Sequence, residues 1–118
     1  MLVDSLDALD DIFHYSPLIV VTHCEDPQRV VDNEKLFYEK YGDDLCAEQH
    51  HLIRDDESCY LSSSLAVSLA KKYDADLHVF HLTTEKEMEL FTEGDVIGKK
   101  ITAEVCVHHM HFEESSYA

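Results

Sequence analysis

Three segments of this chain run apolar and then end in histidine. They are Leu18-Ile19-Val20-Val21-Thr22-His23, Asp76-Leu77-His78-Val79-Phe80-His81 and Lys100-Ile101-Thr102-Ala103-Glu104-Val105-Cys106-Val107-His108-His109. Imidazoles that converge at neighbouring strand ends suit a borderline cation such as Zn²⁺. One histidine in such a place is most simply a hydrogen-bonded core or edge residue. Two at equivalent ends put the metal reading level with that simpler one. Glu25 and Asp26 follow His23 directly and are placed to orient its ring, although Asp26 equally suits a helix N-cap. Alternation puts His78 opposite His81, which sends His78 under a helix. His14, His50, His51 and His111 lie outside the apolar segments. Cys24 makes a poor nucleophile, because the carboxylates beside it disfavour the thiolate.

Several elements must position these residues. Leu2, Leu6, Leu9 and Phe13 recur every three to four residues, which predicts a helix over 2–13 with Asp4 and Asp7 at its positive end. Tyr15-Ser16-Pro17 breaks it before a first strand at 18–23. Asp26-Pro27 opens a second helix, with Val30, Val31, Leu36 and Phe37 on its apolar face, and Gly42 closes it. Residues 43–58 read as a long polar loop with one helical turn, of the kind that is often functional. Leu61, Leu65, Leu69 and Tyr73 form a single stripe and predict a helix over 59–73. A second strand follows at 76–82. Thr84 caps a helix from Glu85 to about Thr92, with Met88 and Phe91 inward and Gly94 at its end. The third strand covers about 100–106, with Glu104, Cys106 and His108 on one face, and the acidic tail is loop or a helix start. Strands alternating with helices predict βα units in a parallel sheet, whose functional edge is the C-terminal end of the strands.

Composition narrows the classes. The 118 residues suffice for one domain and one modest core, and 45% hydrophobic content excludes a disordered chain. Nine Lys+Arg against 25 Asp+Glu give a net charge of −16. That argues against nucleic acid and anionic membrane as partners, since both are bound by clustered Lys and Arg. The four cysteines, Cys24, Cys46, Cys59 and Cys106, form no C-x-x-C pair, which suits reduced thiols in a cytoplasmic setting. No signal-peptide pattern and no apolar run of membrane-spanning length is visible.

Taken in order and spacing, Val21-Thr22-His23-Cys24-Glu25-Asp26, His81-Leu82-Thr83-Thr84 and Glu104-Val105-Cys106-Val107-His108-His109 resemble the middle of a dihydroorotase. The Arg54-to-Ser64 stretch and the helix after it look like that family too. Dihydroorotases are metal-dependent (β/α)₈ barrels of the amidohydrolase superfamily. The resemblance implies a zinc-dependent cyclic amidohydrolase that interconverts N-carbamoyl-aspartate and dihydroorotate in pyrimidine biosynthesis. It matches His23 to the metal-binding histidine ending barrel strand five and His81 to the one ending strand six. It matches His108 and His109 to the substrate-side E-V-T-P-H-H segment after strand seven, with Cys106-Val107 standing where the family has Thr-Pro. Glu25 and Glu104 become supporting carboxylates.

The resemblance also sets limits. The H-x-H of strand one, the metal-supporting residue of strand four and the aspartate base of strand eight have no counterpart in these 118 residues. The expected unit is therefore residues 1–118 as a partial barrel of about strands five to seven, inactive alone. Three parallel strands leave open edges, so pairing between copies in a homo-oligomer is expected, around a small-molecule substrate. Allantoinase-like or hydantoinase-like activity is the nearest alternative. A non-catalytic barrel homologue or scaffold with structural histidines is the alternative from a different class.

Overall fold

The computed structural model describes Val3 and residues 5–117. The roles expected of Leu2 and Asp4 lie outside them. Helix α1 covers Leu6–Tyr15, strand β1 Val20–Thr22 and helix α2 Pro27–Tyr41. Two 3₁₀ turns follow, at Gly42–Asp44 and Ala47–Gln49. Helix α3 is the single turn His50–Ile53, and α4 is the long helix Asp56–Tyr73. Strand β2 is Leu77–Val79, α5 Glu85–Met88 and β3 Ile101–Ala103. Val107–Met110 and Glu114–Tyr117 form further 3₁₀ turns. Among the described residues no helix is long and apolar enough to cross a membrane.

The three strands form one parallel sheet in the order β1-β2-β3. This is the βα architecture of a partial barrel. The register aligns Val20, Leu77 and Ile101 in one row, Val21, His78 and Thr102 in the next, and Thr22, Val79 and Ala103 in the third. Alternation sends the first and third rows toward the helices and the middle row to the other face. Leu77 and Val79 are fully buried, packed with Phe13 of α1 and Val67 and Ala70 of α4. Burying side chains of this size contributes about 1.5–3 kcal/mol each. The other face is uncovered: Ile19, Val21 and Phe80 are all exposed.

Caps set the helix limits. Asp26 accepts from the Arg29 backbone N–H at 2.8 Å, so it is the N-cap of α2, with Pro27 in the first turn. Gly42 takes φ +53° and ends that helix, a left-handed position where glycine carries no Cβ penalty. Asp55 caps α4 by accepting from Ser58 N–H at 2.9 Å. Its carboxylate also grips the Arg29 guanidinium at 2.6–3.0 Å, joining α2 to α4. This cap starts α4 three residues before the predicted helix and shortens the expected loop.

Four expectations are corrected. All three strands are shorter than predicted, with regular strand geometry over three residues in each. His78 sits in the uncovered row rather than under a helix, since Leu77 and Val79 occupy the covered face. The buried side of α4 is Ser63, Ala66, Val67, Leu69 and Ala70, while Leu61 is exposed. Small residues there bring the helix close to the sheet, turning the leucine stripe partly away. Helix α5 stops at Met88, which is exposed, while Phe91 packs against the core as expected.

Candidate functional site

The backbone ladder continues past the strand ends. Phe80 N–H donates to Thr22 O at 2.9 Å, Glu104 N–H to Val79 O at 3.0 Å and Leu82 N–H to Glu104 O at 2.8 Å. His81 is held between these bonds with φ +40°. A left-handed conformation at a non-glycine residue costs on the order of 1–3 kcal/mol and persists where its surroundings enforce it. It breaks the alternation that would have placed His81 beside Val79. The ring instead meets His23: Nδ1 of His23 lies 2.9 Å from Nε2 of His81, with ring centroids 4.8 Å apart. Residues 58 apart in sequence thus meet at the C-terminal edge of β1 and β2.

The donor set fits a zinc-class cation. Both facing atoms are imidazole nitrogens, and with no ion one must donate a proton to the other. Zn–N distances of about 2.0–2.1 Å put tetrahedral ligands about 3.4 Å apart, so a small separation of the two rings admits an ion. Among the described residues the pair belongs to no cluster of three or more Cys, His or carboxylate ligand atoms, so it supplies two ligands.

On its far side, His23 Nε2 faces Glu25 Oε2 at 3.7 Å. Glu25 is mostly buried and ion-paired to Arg54. At 3.7 Å Glu25 neighbours the far side of the His23 ring without a direct hydrogen bond to it. His23, His81, Cys24, Cys59, Glu25 and Glu87 surround a pocket of about 90 Å³. Burial pushes the Cys59 thiol upward, so that wall stays neutral. Cys24 is buried and donates to Thr22 Oγ1 at 3.2 Å. The four cysteines are unpaired.

Glu104 lies elsewhere: its Oε2 is 3.3 Å from His78 Nε2, whose Nδ1 lies 2.9 Å from Thr102 Oγ1. The structure therefore groups Glu104 with His78 on the uncovered sheet face, not with His23 and His81. His108 and His109 lie on the 3₁₀ turn Val107–Met110, since β3 ends at Ala103 and the expected alternation stops there. The His109 ring centroid is 6.4 Å from that of His81, edge to face. This turn thus borders the histidine pair.

Sequence reasoning passed over two groups that shape the site. Arg54 reaches Glu25 across 29 residues, and only its place in the family-like lead-in hinted at it. Glu87 is buried at 2% exposure behind the pocket. Ser63 Oγ donates to it at 2.5 Å and Thr84 Oγ1 at 2.9 Å. The Thr84-x-x-Glu87 spacing of a capping box was visible, but the serine partner was not.

No known family profile matches the chain. A dihydroorotase of Carboxydothermus hydrogenoformans is 30% identical over 109 residues, 86% of this chain and 22% of the relative. An allantoinase of Streptomyces avermitilis is 27% identical over 92 residues, 78% of this chain and 19% of the relative. In fold, the chain superposes on a D-hydantoinase (dihydropyrimidinase) from a Thermus species with a TM-score of 0.78 at 17% identity. That match covers 94% of this chain and 24% of the hydantoinase. The chain spans about a fifth of the length of the curated relatives it matches. In sequence and in fold it resembles the middle segment of an amidohydrolase-superfamily barrel.

Proposed function

We propose that residues 1–118 supply the strand-five-to-seven sector of a zinc-dependent cyclic amidohydrolase of the dihydroorotase type. The observation that carries this is the His23–His81 pair, 2.9 Å apart at parallel strand ends, with His81 held in a left-handed conformation. His23 and His81 would hold the ion through the facing ring nitrogens. A zinc ion bound there supplies a Lewis acid for the amide carbonyl and lowers the pKa of a water. Glu25, fixed by Arg54, orients His23. His108 and His109 flank the substrate side, with the His109 ring centroid 6.4 Å from that of His81. The substrate is a small cyclic amide, with dihydroorotate preferred and allantoin or hydantoin as alternatives. A soluble, reducing compartment suits the four free thiols.

Two ligands and no assigned base leave the attacking water without full activation. The 118-residue chain by itself is therefore expected to hydrolyse dihydroorotate at no more than background rate, even with added zinc. Turnover near that of whole enzymes would refute this. The uncovered face that carries Ile19, Val21 and Phe80 needs a cover, which we assign to further barrel strands or a second copy. Light scattering of the folded chain tests the second-copy cover: a strictly monomeric profile excludes it.

A second reading has its own support. The two histidines already satisfy each other through one hydrogen bond, which a non-catalytic scaffold would also display. Metal content separates the two. One equivalent more zinc in the wild-type chain than in either His23→Ala or His81→Ala supports the amidohydrolase sector. Equal zinc content in all three proteins supports the scaffold.

A further inference from the structure

We propose that Cys106, His108 and His109 form a second metal-binding site, of zinc-class chemistry, independent of the His23–His81 pair. One ligand atom from each of the three residues lies within 4.8 Å of the other two. The backbone makes this cluster. Cys106 is the N-cap of the 3₁₀ turn Val107–Met110, and His109 N–H donates to Cys106 O at 3.0 Å. Side chains three apart eclipse on a 3₁₀ turn, which stacks Cys106 and His109 on one side with His108 next to them. The His108 and His109 rings meet edge to face at 4.2 Å between centroids.

A second observation points to a ligand. Nδ1 of His109 is buried and has no hydrogen-bond partner. A buried polar nitrogen left unpaired carries a desolvation cost, and coordination to a cation removes it. The donors are one thiol sulfur and two imidazoles. That set selects zinc-class metals over calcium and magnesium, which take oxygen ligands. Zn–N of about 2.0–2.1 Å and Zn–S of about 2.3 Å place tetrahedral ligands about 3.4–3.6 Å apart. The exposed His108 and the half-buried Cys106 and His109 reach this by side-chain rotation. Binding exchanges the thiol proton of Cys106 for the cation, so the proton leaves to solvent as the thiolate–metal bond forms. Three protein ligands leave a fourth position open on a turn that borders the pocket.

Cobalt(II) tests this, because a cobalt–thiolate bond produces a near-ultraviolet charge-transfer absorption that imidazoles alone do not. The titration uses the His23→Ala/His81→Ala double variant, so failure of the pair's assignment and failure of this one stay distinct. One equivalent of Co²⁺ should develop the band. Cys106→Ser in that background should abolish it, and His109→Ala should weaken binding at least tenfold. Cys46→Ser and Cys59→Ser should leave it intact. If the double variant does not fold by circular dichroism, the wild-type chain and its Cys106→Ser variant are compared instead. The absence of a thiolate band, or its survival in Cys106→Ser, overturns the site.

Discussion

Removing the Ser63 hydroxyl should cost far more than its size suggests. Ser63 is fully buried and Glu87 is 2% exposed, and the serine is one of two hydroxyl donors to that carboxylate. A hydrogen bond to a charged group is worth about 1.5–3 kcal/mol. Alanine returns about 0.5 kcal/mol of helix propensity at this α4 position. Ser63→Ala should therefore destabilise the chain by about 1–2.5 kcal/mol, read as a lower urea midpoint at constant slope. Glu87→Met should also destabilise, because it strands the buried Ser63 hydroxyl. The double variant Ser63→Ala/Glu87→Met removes both partners and keeps similar volume, which is close to neutral when a buried polar pair is replaced together. Its cost should fall at least about 1 kcal/mol below the sum of the singles, a coupling a double-mutant cycle resolves. Thr84 needs no rescue, since its hydroxyl still accepts from the residue 87 backbone N–H. Additive costs, or a Ser63→Ala change within about 0.5 kcal/mol of wild type, would refute the linkage between α4 and α5.

Other consequences are open to measurement. Leu77→Ala, at a fully buried position on the central strand, should lower stability by about 3–4 kcal/mol, checked by denaturant unfolding. Arg29 holds the Asp55 carboxyl below its usual range, so Asp55 contributes stability above the ordinary carboxylate pKa that is lost as pH falls through the depressed value. The gap in midpoint between wild type and Asp55→Asn should therefore be widest near neutrality and close in acid; a gap constant from pH 7 to pH 3 contradicts this. Arg54→Ala frees Glu25 and should weaken zinc binding at His23–His81 by about tenfold by calorimetry. Unchanged affinity would show that Glu25 does not orient His23.

The sheet was legible because its segments are locally consistent. Leu77 and Val79 are apolar at period two, and the intervening helices carry capping signals at Asp26 and Thr84 that the structure retains. The sequence predicts His23 and His81 side by side because parallel strands end at one edge. The manner of their meeting was not legible: it depends on φ +40° at His81, set by ladder bonds from the neighbouring strands. His78 was misplaced because alternation was counted from His81, where alternation had already ended. The expected third strand includes Cys106, yet β3 stops at Ala103 and the residue becomes a cap. Asp55 looked like one charge in a polar loop, because its partner Arg29 lies 26 residues away.

The sequence distance between His23 and His81 has a thermodynamic consequence. An ion bridging them would close a loop of 58 residues. If it acted as a cross-link, chain-entropy reasoning puts the constraint on the unfolded chain at about 4 kcal/mol. Cys106, His108 and His109 span only four residues, so an unfolded chain keeps much of that cluster's affinity. Ligands that bind folded and unfolded chains alike leave the folding equilibrium unmoved. Zinc should therefore raise the melting temperature through the distant pair, while the local cluster fills with little effect on it.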